Sequence, residues 1–199
     1  MTTTSIEALR DEALTAMASL DVGALSEAAR LLAGCRASRG IVLTAGNGGS
    51  SSTASHFAAD LTKFTRVPGQ PHLRSVALLD NVACHTAWTN DDDPTLALVH
   101  LAEPWLPSPA GAQDAVVLFS VHGGSRSVSS NLAELARFAR EQGARVIALT
   151  GFDGGELARL SDVHVNFPLN REPLATPGIE SVHLLAAHAL CLALYQEEN

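Results

Sequence analysis

Gly40-Ile41-Val42-Leu43-Thr44-Ala45-Gly46-Asn47-Gly48-Gly49-Ser50-Ser51-Ser52-Thr53 is the stretch that decides how the rest of the chain is read. Ile41 to Thr44 is an apolar strand, the run from Ala54 to Phe64 reads as a helix, and glycines and hydroxyls join the two. Glycine lets the backbone turn sharply and approach a ligand closely. The unpaired N–H groups of a helix start, with hydroxyls beside them, suit a phosphate. The spacing fails both common nucleotide fingerprints. A dinucleotide loop would need glycine where Ser51 stands, and no Gly-Lys-Ser/Thr follows. The stretch therefore points to a phosphorylated ligand and to neither of the common nucleotide-binding loops.

Outward from this unit the chain alternates. Strands are predicted at Ile41–Thr44, Ser75–Leu79, Ala115–Ser120, Arg145–Leu149 and Val163–Phe167. Helices are predicted at Thr53–Phe64, Asn81–Ala87, Pro94–Leu101, Arg126–Gln142, Gly155–Leu160 and Ile179–Tyr195. Alternating β and α with continuously apolar strands means a parallel sheet covered on both faces. Ligands in such sheets lie at the carboxyl ends of the strands, beside the topological switch point. Two helices precede the first strand, Ser5–Leu20 and a second capped by Asp21 that runs through Leu32 and ends near Gly34. They either cover their own sheet or pack against another subunit.

The 199 residues carry 46% apolar and 17% charged side chains, which suits one α/β domain with a real core. A net charge of −8 without a basic cluster speaks against nucleic acid and anionic membranes as partners. Cys35, Cys84 and Cys191 are isolated and odd in number, as in a reduced cytoplasmic protein. No basic start with an apolar core opens the chain, and no run is expected to reach membrane-spanning length.

A second loop of the first kind, Ser120-Val121-His122-Gly123-Gly124-Ser125-Arg126-Ser127, follows the third strand. Two such loops at one sheet edge make a phosphate cradle. His56 and Asp60 share one helix face and can hold a metal, form an acid/base pair, or simply meet solvent. The last helix adds Glu180, His183 and His188 within an apolar run, and His183 reads as a core histidine bonded to a backbone carbonyl.

Gly46-Asn47-Gly48-Gly49-Ser50 with His56-Phe57-Ala58-Ala59-Asp60, then Leu149-Thr150-Gly151-Phe152-Asp153-Gly154-Gly155, then Ile179-Glu180-Ser181-Val182-His183 with His188, together resemble the sugar isomerase (SIS) domain family, and within it the phosphoheptose isomerases. The resemblance covers essentially the whole chain. It implies a three-layer, flavodoxin-like α/β/α domain over residues 1–199, with a five-stranded parallel sheet and the helical pair of residues 1–38 used in oligomerisation. It implies a cytoplasmic homotetramer with shared active sites that interconverts an aldose and a ketose phosphate through an enediol. Zn²⁺ or another divalent cation would be held by His56, Asp60, Glu180 and His188, with Asp60 and His188 as the proton-transfer pair. Substrate would be held by Asn47, Gly48, Ser50, Asn90, Asp91, Ser120, His122, Ser125 and Glu180.

The chain departs from the family pattern in several places. Asp60 and Glu180 stand where the family has Glu and Gln, Phe64 and Gly178 replace two arginines, and Val121-His122-Gly123-Gly124 replaces a more hydroxyl-rich loop. These changes bear on which sugar fits rather than on the reaction class. Eight residues part Glu180 from His188, about 12 Å along a continuous helix. One ion reaches both only if Glu180 precedes the helix, the side chains converge, or subunits share the site; His183 is the geometric competitor. The rival to an enzyme is a non-catalytic SIS module that binds a sugar phosphate or a partner protein, as replication-associated members do.

Overall fold

The computed structural model describes residues 4–108, 112–125 and 127–196; Arg126, read above as part of a loop and as a helix start, lies outside the described residues. Five parallel strands form one sheet in the order β2-β1-β3-β4-β5, with β1 Ile41–Gly46, β2 Arg74–Ala77, β3 Ala115–Ser120, β4 Arg145–Gly151 and β5 Val163–Phe167. The register pairs Gly46 with Phe119, Ser120 with Thr150, and Gly151 with Phe167, so the strands end at one level. This is the flavodoxin-like order, and strand direction of growth reverses between β1 and β3. The two Gly- and Ser-rich loops leave the sheet at that point.

Alternate strand residues build two apolar layers. Val42, Val117, Phe119, Ile147 and Leu149 face α2 (Val22–Ala37), α3 (Gly49–Lys63) and α8 (Ala175–Gln196). Ile41, Leu43, Val116, Leu118, Val146 and Ala148 face α5 (Ala97–Ala102), α6 (Ser130–Glu141) and α7 (Leu157–Leu160). The first helix, α1 (Ser5–Ala18), and α2 both pack on α8. Thr4 closes α1 with a reciprocal capping box to Glu7, and Asp21 caps α2 through the Ala24 N–H at 2.9 Å.

Several boundaries differ from the sequence reading, among them the starts of α3 and α8, each four residues earlier than predicted. Helix α2 continues through Gly34 to Ala37, because Cys35 and Arg36 are buried there; a mid-helix glycine costs only about 1 kcal/mol. The Arg36 guanidinium donates to the Thr65 carbonyl at 3.0 Å and to the Leu194 carbonyl at 3.4 Å, tying α2 to the ends of α3 and α8. Strand β2 stops at Ala77 and gives way to a 3-10 turn, Leu78–Asp80. Helix α4 (Val82–Asp91) runs four residues beyond the predicted Ala87, so Asn90 is helical rather than in a loop. Helix α6 starts at Ser130, after Ser129 takes a left-handed turn at φ 55°.

One helix, Ala175–Tyr195, is long and apolar enough to cross a membrane, contrary to the expectation that no run reaches that length. Half of its most apolar window is buried inside the protein. That burial against α1, α2 and α3 accounts for its apolar character.

Candidate active site

Helices α3 and α8 lie side by side and run parallel. Gly49 meets Glu180, His56 meets His188, and Phe64 meets Tyr195, so a steady offset carries one helix along the other. Two sequence patterns at helical spacing are thereby brought face to face.

The middle rung is the cluster anticipated for a metal. His56 Nε2 lies 3.2 Å from His188 Nε2, and Asp60 Oδ2 lies 3.3 Å from His56 Nε2 and 3.6 Å from His188 Nε2. Two imidazole nitrogens facing each other can place only one hydrogen between them. A carboxylate beside both makes the spot attractive to a cation. Two nitrogens and one carboxylate oxygen within 4.8 Å of one another are also a three-ligand set for a divalent ion with a further position open. The donor set fits Zn²⁺. The cluster opens into a cavity of about 320 Å³ that Phe64, Cys191 and Leu192 complete. The Cys191 thiol is pushed up to about 12, first by burial and then by the Asp60 charge, so it remains a neutral thiol.

Glu180 does not join this cluster within the chain. It lies inside the same continuous helix as His188, two turns nearer the N-terminus, and its carboxylate rests against Gly49. A methyl at Gly49 would stand 2.5 Å from Glu180 Oε2, so only glycine leaves room for the contact. Three of the four expected ligands thus meet within one chain; Glu180 neither precedes the helix nor converges on His188, because the helical rise keeps them about 12 Å apart along the axis, which leaves a shared site between copies as the remaining route for it.

Glu180 instead lines a second cavity, about 180 Å³, with Asn47, Ser50, Ser120, Val121, His122, Ser129 and Thr176. Gly48, at φ 55°, makes the turn into α3 beside it. Five of the nine expected substrate residues therefore converge here: Asn47, Ser50, Ser120, His122 and Glu180. Ser125 turns away, accepting from the Val128 N–H at 3.1 Å and lining a different cavity with Thr95, Ser130, Arg137 and Arg159. Asn90 and Asp91 sit exposed at the end of α4, bonded to each other at 2.7 Å and outside the Asn47 cavity. No cation is among the described residues lining that cavity.

Sequence reasoning missed the groups that fix this pocket. Asn131, at the start of α6, forms a reciprocal amide pair with Asn47, at 2.9 and 3.0 Å. The relation spans two loops, and no local spacing signals it. The loop 120–125 is pinned from behind, where the N–H groups of Glu156 and Leu157 donate to the carbonyls of Gly124 and Gly123. Thr150 Oγ1 bonds Asn166 Oδ1 at 2.8 Å and His164 Nε2 at 2.6 Å, and Asn166 Nδ2 donates to the Phe152 carbonyl. With Asn166 so oriented, the single Thr150 hydrogen goes to Oδ1, and His164 Nε2 must carry its own hydrogen. Burial lowers the His164 pKa. Phe152, held by this chain of bonds, lies tilted against His122 with ring centres 4.5 Å apart.

His183 is fully buried, between Phe119 and Phe167. Neither of its ring nitrogens reaches hydrogen-bond geometry with a described residue, although the Thr150 backbone bears on it. Burial pulls its pKa down to about 4, so it is a neutral core group and not a ligand.

Comparison with known proteins gives the arrangement a context. Residues 8–151 match the SIS domain family. The chain is 52% identical over 178 residues to the lincomycin biosynthesis protein LmbN of Streptomyces lincolnensis, covering 88% of this chain and 63% of that protein. It therefore spans less than two thirds of LmbN. It is 36% identical over 183 residues to a phosphoheptose isomerase of Aromatoleum aromaticum, covering 90% and 84%. Among solved structures it resembles phosphoheptose isomerase GmhA from Neisseria gonorrhoeae, with TM-score 0.74, 34% identity, and 87% and 85% coverage. A phosphoheptose isomerase from Francisella tularensis gives TM-score 0.79 at 25% identity, covering 96% and 94%.

Proposed function

This chain belongs to the SIS domain family, and from that membership we propose that it is a phosphosugar isomerase. It interconverts a ketose and an aldose phosphate of seven or a similar number of carbons, with sedoheptulose 7-phosphate as the first substrate to try. The observation that carries this reading is the meeting of His56, Asp60 and His188 on two parallel helices, a few turns from a pocket of amide, hydroxyl and carboxylate groups. LmbN supports a sugar destined for a secondary metabolite.

In the reaction a base removes a proton from C1 of the ketose while the C2 oxygen gains one, giving a 1,2-enediol. Reprotonation at C2 and loss of the O1 proton yield the aldose. Asp60 and His188 handle the carbon-bound proton. Because a carboxylate has two oxygens, Asp60 Oδ2 can face the imidazoles while Oδ1 accepts the proton. Asn47, held by Asn131, orients the sugar hydroxyls with Ser50, Ser120 and Glu180. His122 lines the same cavity. His56, Asp60 and His188 would hold a divalent ion, which when bound would supply Lewis-acid polarisation of the substrate oxygens.

Glu180 acts on substrate in its own chain and completes the ion's shell only through a neighbouring copy of a homotetramer with shared sites. Exposed Phe64, Leu185, Leu192 and Tyr195 around the cluster, and Leu14 and Met17 on the leading helices, support a covering copy. The protein acts in the cytoplasm.

Purified full chain, analysed for metal as isolated and then incubated with Zn²⁺ and sedoheptulose 7-phosphate, yields the aldoheptose phosphate. An ion-free protein that turns over none of a panel of five- to eight-carbon ketose phosphates would replace this reading with the non-catalytic binding module.

A further inference from the structure

His122 lines two cavities: the Asn47 pocket of about 180 Å³, and a neighbouring one of about 450 Å³ that Phe152, Asp153, Pro168 and Asn170 complete. The residue therefore stands where the two meet. Its backbone is fixed on either side. The Gly151 N–H donates to the Val121 carbonyl at 3.0 Å, and the Leu157 N–H donates to the Gly123 carbonyl at 2.8 Å. A Cβ at Gly123 would collide with the Gly154 carbonyl, so the loops at 121–124 and 151–155 lie backbone against backbone. The His122 side chain makes no hydrogen bond to a described residue. What holds it is the Phe152 ring, at 4.5 Å between centres.

Phe152 is itself held in an unusual way. Its φ of 50° lies in the left-handed region, where a bulky side chain is an outlier. Glycine adopts that conformation freely, and the loop has glycine at 151, 154 and 155, yet this position is phenylalanine. The conformation is imposed from both sides. The Phe152 N–H donates to the Leu169 carbonyl at 3.3 Å, and Asn166 Nδ2 donates to the Phe152 carbonyl at 3.1 Å. Strain of this kind persists where the surroundings over-determine it, and it gathers at ligand sites. Here its product is a ring set against His122.

We propose that Phe152 is a positioning residue for substrate selection: it holds the His122 ring as a wall between the two cavities, and so sets how long a ketose phosphate the Asn47 pocket accepts. The wall stands on the geometry of the two loops; its part in selecting a sugar rests on the isomerase reading. Without the Phe152 ring, His122 can swing aside and the pocket opens into the second cavity. The space gained lies beside the Asp153 carboxylate and the Asn170 amide, groups that bond sugar hydroxyls, and it admits further hydroxylated carbons.

The test compares Phe152→Gly, which removes the ring and suits the left-handed backbone, with Phe152→Tyr, which keeps the ring; thermal unfolding checks that both fold. In the ligand-free full chain, the His122 ring-proton NMR signals shift in Phe152→Gly and stay near their parent positions in Phe152→Tyr. Binding of ketose phosphates of five to eight carbons is then measured by calorimetry. The ratio of eight-carbon to five-carbon affinity rises about tenfold or more in Phe152→Gly, and Phe152→Tyr keeps the parent ratio. His122→Ala raises the ratio as well, and adding Phe152→Gly to it moves the ratio no further, because the two side chains act as one wall. In turnover the change falls on KM, with kcat within about twofold in Phe152→Gly. His122 signals that do not shift, a ratio unmoved in Phe152→Gly, or an additive double variant each overturn the proposal. A ratio that moves as stated in a protein that isomerises no sugar phosphate overturns the proposed function and leaves the wall standing. A parent that binds no ketose phosphate overturns both.

Discussion

Gly49→Ala separates the site from the fold. The added methyl would stand 2.5 to 2.6 Å from the Oε1, Cδ and Oε2 atoms of Glu180. Ordinary contact needs about 3.5 Å, so the carboxylate must retreat by about 1 Å. Glu180 is the flexible partner, and forcing its side chain off a rotamer costs about 0.5–1.5 kcal/mol. Alanine in place of glycine in a helix returns up to about 1 kcal/mol. The two effects nearly cancel, so the melting temperature moves by no more than about 4 °C. Catalysis has no such compensation. Displacing a substrate-holding group by about 1 Å costs on the order of 100-fold in kcat/KM. Thermal unfolding and ketose–aldose conversion are measured on Gly49→Ala, Glu180→Ala and the double variant, and the double should lose no more activity than Glu180→Ala alone. Near-native turnover in Gly49→Ala would show that the Glu180 position is immaterial. A stability loss above about 3 kcal/mol would show that the carboxylate cannot move aside.

Three further outcomes are expected. His183 has its pKa pulled down to about 4 from an ordinary 6.5, so between those values the unfolded chain binds the extra proton and stability falls as pH falls, by about 3 kcal/mol in all. His183→Leu flattens that limb in urea titrations at pH 7.5 and 4.5, and an unchanged slope would point to other groups. His56→Ala, Asp60→Asn and His188→Ala each weaken Zn²⁺ binding at least tenfold by calorimetry and abolish turnover, with circular dichroism unchanged; native affinity in any one removes that residue from the ligand set. Asn131→Ala leaves half of an amide pair without its partner and costs about 1–3 kcal/mol, seen either as lost stability or as raised KM. If neither changes, the Asn47 orientation does not depend on the pair.

Much of the architecture was legible before any coordinates. Runs such as Ala115–Phe119 and Val146–Leu149 are apolar at every position because both faces are covered, and that unbroken pattern identifies a parallel sheet. Asp21 marks a helix start through a local hydrogen bond, which a short window of sequence contains. Helix ends were harder. Nothing near Gly34 reveals that Arg36 will be buried against α8, and that burial, with that of Cys35, is what carries α2 three residues further. Within the site, His56 and Asp60 were readable as a pair because one helix turn separates them, while Asn47–Asn131 was not, since the partner lies 84 positions away.

By itself, then, the order of residues determined what depends on neighbours along the chain: the α/β alternation, the Gly- and Ser-rich loops at the strand ends, and the candidate side chains on α3 and α8. Tertiary structure alone decided which of them meet. The parallel packing of α3 on α8 sets His188 against His56 and Asp60. The fixed rise of one unbroken helix puts Glu180 in a different pocket. Hydrogen bonds between Ser125 and Val128 send Ser125 away from the loop it shares in sequence. These are contacts across space, fixed by how whole elements pack, and composition or spacing within one element does not encode them.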